Sequence, residues 1–425
     1  MNPIEDDSGI SVKPIVSTDS NRPFVRFSEW VVKRLTPQTC AKVICLLFAI
    51  LLYARYPGKI DFDRSTIPQD FGVYVKAWQR HKLGESPYIA KDFLAFKYSP
   101  GALALIGLLP QAPIAAWFVF SSFCIGLLTV SLAIGAEYRV WRNVMALVLG
   151  IGLAWKGLIE CFDYGQVEVF ILPIVVIATF LYARFTFTSG VLIGMLPWIK
   201  IPLLFMFIPF ALGARQRKTE DGALPDRRSK TFIGGFLLSG VFWGAFLPMI
   251  VFGARRALSL SRDWLELLRT QPASLFSSDM NQSLWASVGR WTGVQPSNPS
   301  SMTLMFVIVG ILGGLLTVLL VLRRPYSPAP RTSLAWISPW LILNQLINPL
   351  SWRWGSVYLV GIGFSALNPR RSHWLRVILW IGVLALFLLQ QNPFVKGMLR
   401  LSSWTDLHDT GLITLYWVAL LLSSL

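Results

Sequence analysis

Ile233–Phe252 reads IGGFLLSGVFWGAFLPMIVF, a run without a charged residue. Crossing the hydrocarbon core of a bilayer takes about 20 apolar residues in a helix, and this run is long enough. Met302–Leu322 is a second such run, and Ile378–Leu389 with its flanks comes close. The whole chain follows suit. Its 425 residues are 54% hydrophobic and 14% charged, whereas soluble domains average about 45–50% apolar and about 25% charged. The apolar blocks alternate with short basic or Gly/Pro-rich stretches. Eighteen Trp suit two interfacial belts. The expected fold is an all-α polytopic membrane protein.

The formal net charge is +17. The basic residues cluster in short loops between apolar blocks, which reads as topology and contact with anionic lipids rather than nucleic-acid binding. Cys40, Cys45, Cys124 and Cys161 form no C-x-x-C pair and read as small hydrophobes. His81, His373 and His408 lack ligand spacing, so no zinc site is expected. Residues 1–36 read as a disordered cytosolic tail, and 37–425 as one transmembrane domain. With the tail inside, helices are expected over 41–56, 113–134, 143–159, 166–183, 232–253, 302–322, 333–349, 353–367, 376–391 and 410–424. A short apolar element is expected over 101–111.

One stretch resists simple alternation. Residues 188–213 are apolar, yet Arg184 precedes them and Arg215, Arg217 and Lys218 follow. Pro197-Trp198-Ile199-Lys200-Ile201-Pro202 interrupts the stretch, and its prolines break helical hydrogen bonding. The reading is a broken or re-entrant hairpin, which brings the count to about twelve helices. Irregular backbone at membrane depth must be buried in protein or line a cavity. Lys200 at the break is therefore either functional or paired, or else reaches for the interface as a helix-end lysine does.

This layout places two long loops outside, 57–100 and 254–300, and makes that side the active face. Asp61, Asp63, Asp70 and Asp163 fall there. Between Gln69 and Arg80, Phe71, Tyr74, Val75 and Trp78 share one helical face while Lys76, Gln79 and Arg80 fill the other. That spacing predicts an amphipathic interfacial helix opened by Asp70.

The run Asp70-Phe71-x-x-Tyr74-x-x-Ala77, then Gly84-x-Ser86-Pro87-Tyr88, then Phe96-x-Tyr98-x-Pro100, resembles the first outer loop of glycosyltransferase family 87, in the GT-C superfamily. Further pieces follow in that family's order. Gly165-Gln166 is similar to its Gly-Gln-x-Asn, with Glu168 in place of the Asn. Gly190-x-x-x-Gly194, Lys200 and Pro202 resemble its Gly-rich hairpin. Asn281-Gln282-Ser283-Leu284 with Arg290 resembles its second-loop motif, and Pro349-Leu350-Ser351-Trp352 its Pro-x-Ser-Trp turn. Two departures stand out: Arg353-Trp354 where members often carry His, and Tyr98-Ser99-Pro100 for Tyr-Pro-Pro.

The resemblance implies a GT-C-like bundle with outer-face amphipathic helices in a bacterial cytoplasmic membrane, its active site facing the periplasm. It implies inverting transfer of a sugar, mannose favoured and arabinose second, from a polyprenyl-phosphate donor to a hydroxyl of a lipid or glycan acceptor. One in-line attack needs one general base, and the resemblance assigns Asp70, although Asp is also a favoured N-cap. Asp163, Tyr74 and Gln166 are candidates for acceptor or auxiliary contact. The departing lipid phosphate calls for cationic donors, and Arg290, Arg353 and Lys97 are the candidates. Asn281, Gln282, Ser283, Trp352 and Lys200 complete the motif residues. No cofactor is expected, with a divalent metal at Asp61-x-Asp63 as the minor alternative. A transporter or flippase of a lipid or small solute is the rival reading, and a non-catalytic envelope partner the third.

Overall fold

The computed structural model describes residues 36–59, 67–89, 95–216, 225–270, 281, 283–292, 299–323, 333–348, 353–362, 364 and 418. Every regular element among them is a helix. In chain order these are α1 (Pro37–Arg55), α2 (Gln69–Lys82), α3 (Pro100–Ile106), α4 (Pro113–Ile134), α5 (Trp141–Tyr164), α6 (Glu168–Leu181) and α7 (Thr186–Ile199). A 3₁₀ segment, Ile201–Met206, leads into α8 (Phe207–Gln216). Then come α9 (Pro225–Val241), a π-helical turn over Phe242–Phe246, and α10 (Leu247–Phe252). The series ends with α11 (Ala254–Arg269), α12 (Leu284–Thr292), α13 (Pro299–Arg323), α14 (Ser333–Ile347) and a 3₁₀ run, Arg353–Gly361.

Among the described residues, four helical stretches are long and apolar enough to cross a membrane: Pro37–Arg55, Pro113–Ile134, Trp141–Tyr164 and Arg228–Phe252. Shorter apolar helices cover Glu168–Leu181, Thr186–Ile199, Ile201–Leu212, Val307–Leu322 and Leu334–Ile347. The described residues are those of an all-helical membrane protein. The tail before Thr36, the helix expected over 376–391 and, apart from Val418, the one expected over 410–424 lie outside the described residues. The helix expected over 353–367 is instead a 3₁₀ run, Arg353–Gly361. It packs backbone-close against α5: a Cβ on Gly150 would collide with the Val360 carbonyl, and one on Gly157 with Ser356. Small residues substitute for the hydrophobic effect where helices meet in lipid, because they let backbones approach.

The same device joins α7 to α9. Gly190 and Gly194 face the backbones of Phe232 and Phe236, and Gly235 answers by facing that of Phe187. The interruption expected after α7 falls at Lys200, whose backbone is extended (φ −147°, ψ 106°). The hydroxyl of Tyr182, just past α6, donates to the carbonyl of Phe210 in α8 at 2.6 Å. Phe210 in turn stacks on Phe232 of α9 at 5.4 Å between centroids.

The helix expected from Gln69 to Arg80 is α2, with Phe71, Tyr74 and Ala77 buried and Val75 and Trp78 packed partly against the core. Its cap differs from expectation. Pro68 is the N-cap residue, with no side-chain capping bond, and Asp70 lies within the first turn. The carboxylate of Asp70 is therefore available for another partner.

Candidate active site

The site is assembled where α5 hands over to α6. Tyr164 ends α5, and Gly165 adopts the left-handed conformation (φ 73°, ψ 41°) that glycine reaches without strain. Gly165 also touches α2: a Cβ there would stand 2.6 Å from the Cβ of Phe71. The reversal and the missing side chain together let the first turn of α2 press on the junction. Gln166 and Glu168 are the polar residues immediately beyond.

Gln166, nearly buried, donates its side-chain amide to the Asp70 carboxylate. Burial first, and then the charge of Glu168, push the Asp70 carboxyl up to about 6 against the opposing pull of Lys97. Lys97 sits in the loop before α3. Its ammonium is lowered by burial, an effect that Asp70 partly offsets. Trp264 of α11 fixes that loop by donating Nε1 to the Lys97 carbonyl at 3.0 Å.

An aromatic wall stands beside this group. The hydroxyls of Tyr74 and Tyr98 lie 3.0 Å apart, and Tyr88 donates to the Tyr98 carbonyl at 3.1 Å. Phe96 packs edge-on to Tyr74 at 6.3 Å and beside Tyr98 at 5.5 Å. Desolvation holds the Tyr74 phenol well above its ordinary range, so it acts as a neutral hydrogen-bonding group.

Beneath lies an ion pair. Lys200 Nζ contacts Glu168 Oε1, and the Glu168 side chain is 1% exposed. The other oxygen, Oε2, is buried without a hydrogen-bond partner among the described residues. Isolated buried charges are expensive, so the pairing explains how Lys200 is tolerated at the break in the helix. Glu168 was visible in the sequence only as a substitute within Gly-Gln-x-Asn. Its partner lies 32 residues away, so no local pattern marked the pair.

The other candidates divide. Asp163 belongs to a separate group: Tyr56 donates to it at 2.9 Å and Arg55 lies 4.0 Å away, both from the end of α1. Asn281 Oδ1 accepts from the Ser283 backbone N–H at 3.1 Å, and Ser283 Oγ accepts from that of Ala286 at 3.2 Å. Both therefore shape the start of α12. Trp285 ties α12 to α14 by donating Nε1 to the Ile347 carbonyl at 3.0 Å. Arg290 lies in α12 and Arg353 opens the final 3₁₀ run, but their side chains, like Gln282, Trp352, Asp61 and Asp63, lie outside the described residues. Among the described residues no three of His, Cys, Asp and Glu gather as metal ligands.

A half-buried carboxylate of raised proton affinity, hydrogen-bonded and flanked by a lysine, can accept a proton beside a phosphate. A family model for glycosyltransferase family 87 matches residues 96–343, more than half of the sequence. The chain belongs to glycosyltransferase family 87. No curated protein matches it. The matched region of this glycosyltransferase holds Lys97, Gln166, Glu168 and Lys200, and Asp70 lies ahead of it. The fold, through Gly165, brings Asp70 to that region.

Proposed function

We propose that this glycosyltransferase moves a sugar, mannose by preference, from a polyprenyl-phosphate donor to a hydroxyl of a lipid or glycan acceptor. In this reading the acceptor oxygen attacks the anomeric carbon as the bond to the phosphate oxygen breaks, inverting the centre. The acceptor proton passes to Asp70, and the electron pair leaves with the lipid phosphate. General-base help of this kind is worth about 10²–10⁴-fold. The observation that carries the reading is the Asp70–Gln166 contact, with a carboxyl pushed to about 6. Such a group is ionised near neutrality yet more basic than an ordinary aspartate, as Brønsted behaviour favours.

Gln166 orients the carboxylate. Lys97, next to Asp70, is the first candidate for the departing phosphate, with Arg290 and Arg353 as further cations. Asp163, engaged by Tyr56 and Arg55, is assigned to the acceptor's edge. Because the donor arrives already activated, the reading assigns no resident cofactor. The bundle is taken as about twelve helices with α7 and α8 as arms of a re-entrant hairpin, in a bacterial cytoplasmic membrane with Asp70 on the outer side. The contact of Tyr182 with Phe210 supports the hairpin, since it returns α8 to the level where α7 begins.

The test is a donor panel. Purified protein in nanodiscs is offered labelled mannosyl and arabinosyl polyprenyl phosphates with a lipid and glycan extract as acceptor. Label should move from the mannosyl donor into an acceptor fraction. Transfer from the arabinosyl donor alone would replace mannose, and no consumption of either across widened acceptor pools would remove the reading.

A further inference from the structure

Helix α11 follows directly on the span that ends with α10. Gly253, at φ 78° and ψ 152°, makes the turn between them. Ala257, Leu260, Trp264 and Leu267 form a buried face. Charged residues toward that side are satisfied by the loop after α2. Arg256 donates to the carbonyls of Gly84 at 3.1 Å and Glu85 at 2.5 Å, and Asp263 accepts from Ser86 at 2.8 Å.

The outer face has a different pattern. Arg255, Leu258, Arg262, Leu265 and Arg269 recur at alternating spacings of three and four, which places them in one stripe, with the exposed Glu266 at its edge. All five are exposed, Leu258 by 74% and Leu265 by 51%. The side chains of the three arginines make no ion pair or hydrogen bond among the described residues. Cations alternating with leucines suit neither bulk water nor a hydrocarbon core. They suit the layer between, where leucines reach acyl chains and guanidiniums meet phosphate.

We propose that this stripe of α11 is a binding surface for anionic phospholipid headgroups of the surrounding bilayer. The position supports a lipid rather than a protein partner, because a membrane-crossing helix delivers α11 to the bilayer surface through a single glycine. Charge complementarity selects anionic lipids, whose headgroups attract basic residues held near the surface. The opposite face of α11 holds the Lys97 carbonyl through Trp264, so the lipid-facing helix is also the one that fixes the loop beside Asp70.

The test reads lipid contact and does not depend on sugar transfer. The full chain is reconstituted in phosphatidylcholine with a trace of spin-labelled phosphatidylglycerol or spin-labelled phosphatidylcholine, and the motionally restricted fraction is measured by electron spin resonance. Restricted phosphatidylglycerol should exceed phosphatidylcholine for the wild type. The excess should fall at least about twofold in Arg255→Gln/Arg262→Gln/Arg269→Gln and persist in the corresponding triple Lys variant. Arg262→Gln alone should lower it part-way, which keeps the test open if the triple variant does not fold. Undiminished selectivity in the Gln variants, or an excess insensitive to raised salt, overturns the proposal.

Discussion

The side-chain amide of Gln166 donates to the carboxylate of Asp70 across 96 residues of sequence. The contact joins the amphipathic helix α2 to the junction of α5 and α6, where Gly165 permits the approach. Replacing Gln166 with Ala removes a hydrogen bond to a charged group, worth about 1.5–3 kcal/mol. Turnover should fall about tenfold or more with little change in KM. Gln166→Glu should be worse, because it sets a second charge against the base.

The pH dependence follows from the raised carboxyl. A base must be ionised to accept a proton, so kcat should fall as the medium is acidified through about 6, where Asp70 titrates. An ordinary aspartate would place that limb near 4. Removing the neighbouring charge with Glu168→Gln should move the limb toward lower pH, since Glu168 is the second cause of the shift. A pH–rate profile of both proteins checks this.

Asp70→Asn should lose activity and gain stability. The folded protein holds the Asp70 carboxyl above its usual value of 3.8. The stability associated with this group is therefore full below about pH 4 and lost as pH rises through about 6. At pH 7 the ionised side chain is a net cost, about 1–2 kcal/mol after allowance for solvent screening. Thermal unfolding in detergent at pH 4 and pH 7 should show the variant's advantage at pH 7 only.

The Glu168–Lys200 pair should behave as a unit. Lys200→Met strands a buried carboxylate and should cost about 3–5 kcal/mol. Adding Glu168→Gln to it should restore much of that loss, because replacing both partners of a buried pair costs far less than removing one. Melting temperatures of the two single variants and the double variant measure the coupling.

Gly165→Ala should damage the site without touching its chemistry. The new methyl meets Phe71 at 2.6 Å and a backbone φ of 73° that alanine disfavours. Strain of this kind costs about 1–3 kcal/mol. The first turn of α2 should withdraw, lowering kcat while leaving the helical content by circular dichroism intact.

Much of the fold was legible because its signals are local. Apolar runs named the long spans, and the prolines around Lys200 marked the break where the backbone becomes extended. The spacing of Phe71, Tyr74 and Trp78 marked α2. The rest is tertiary. That Asp70 is bound by Gln166 instead of capping its helix depends on Gly165, and the partner of Lys200 was hidden because a lone Glu carries no periodic signal. Helix α11 lies within the segment read as an outer loop, although Ala257, Leu260, Trp264 and Leu267 trace a helical face in the sequence. Arg353–Gly361 reads as an apolar crossing, but it is a 3₁₀ run lying against the glycine-lined surface of α5, a contact no local pattern marks.

The central claim is that Asp70 takes the acceptor's proton. Its most direct measurement is single-turnover transfer of label from mannosyl polyprenyl phosphate by wild type and Asp70→Asn, matched for folded protein by gel filtration. The account predicts donor binding by both and a transfer rate at least about 10²-fold lower in the variant. Transfer at the wild-type rate by a folded Asp70→Asn protein would contradict it.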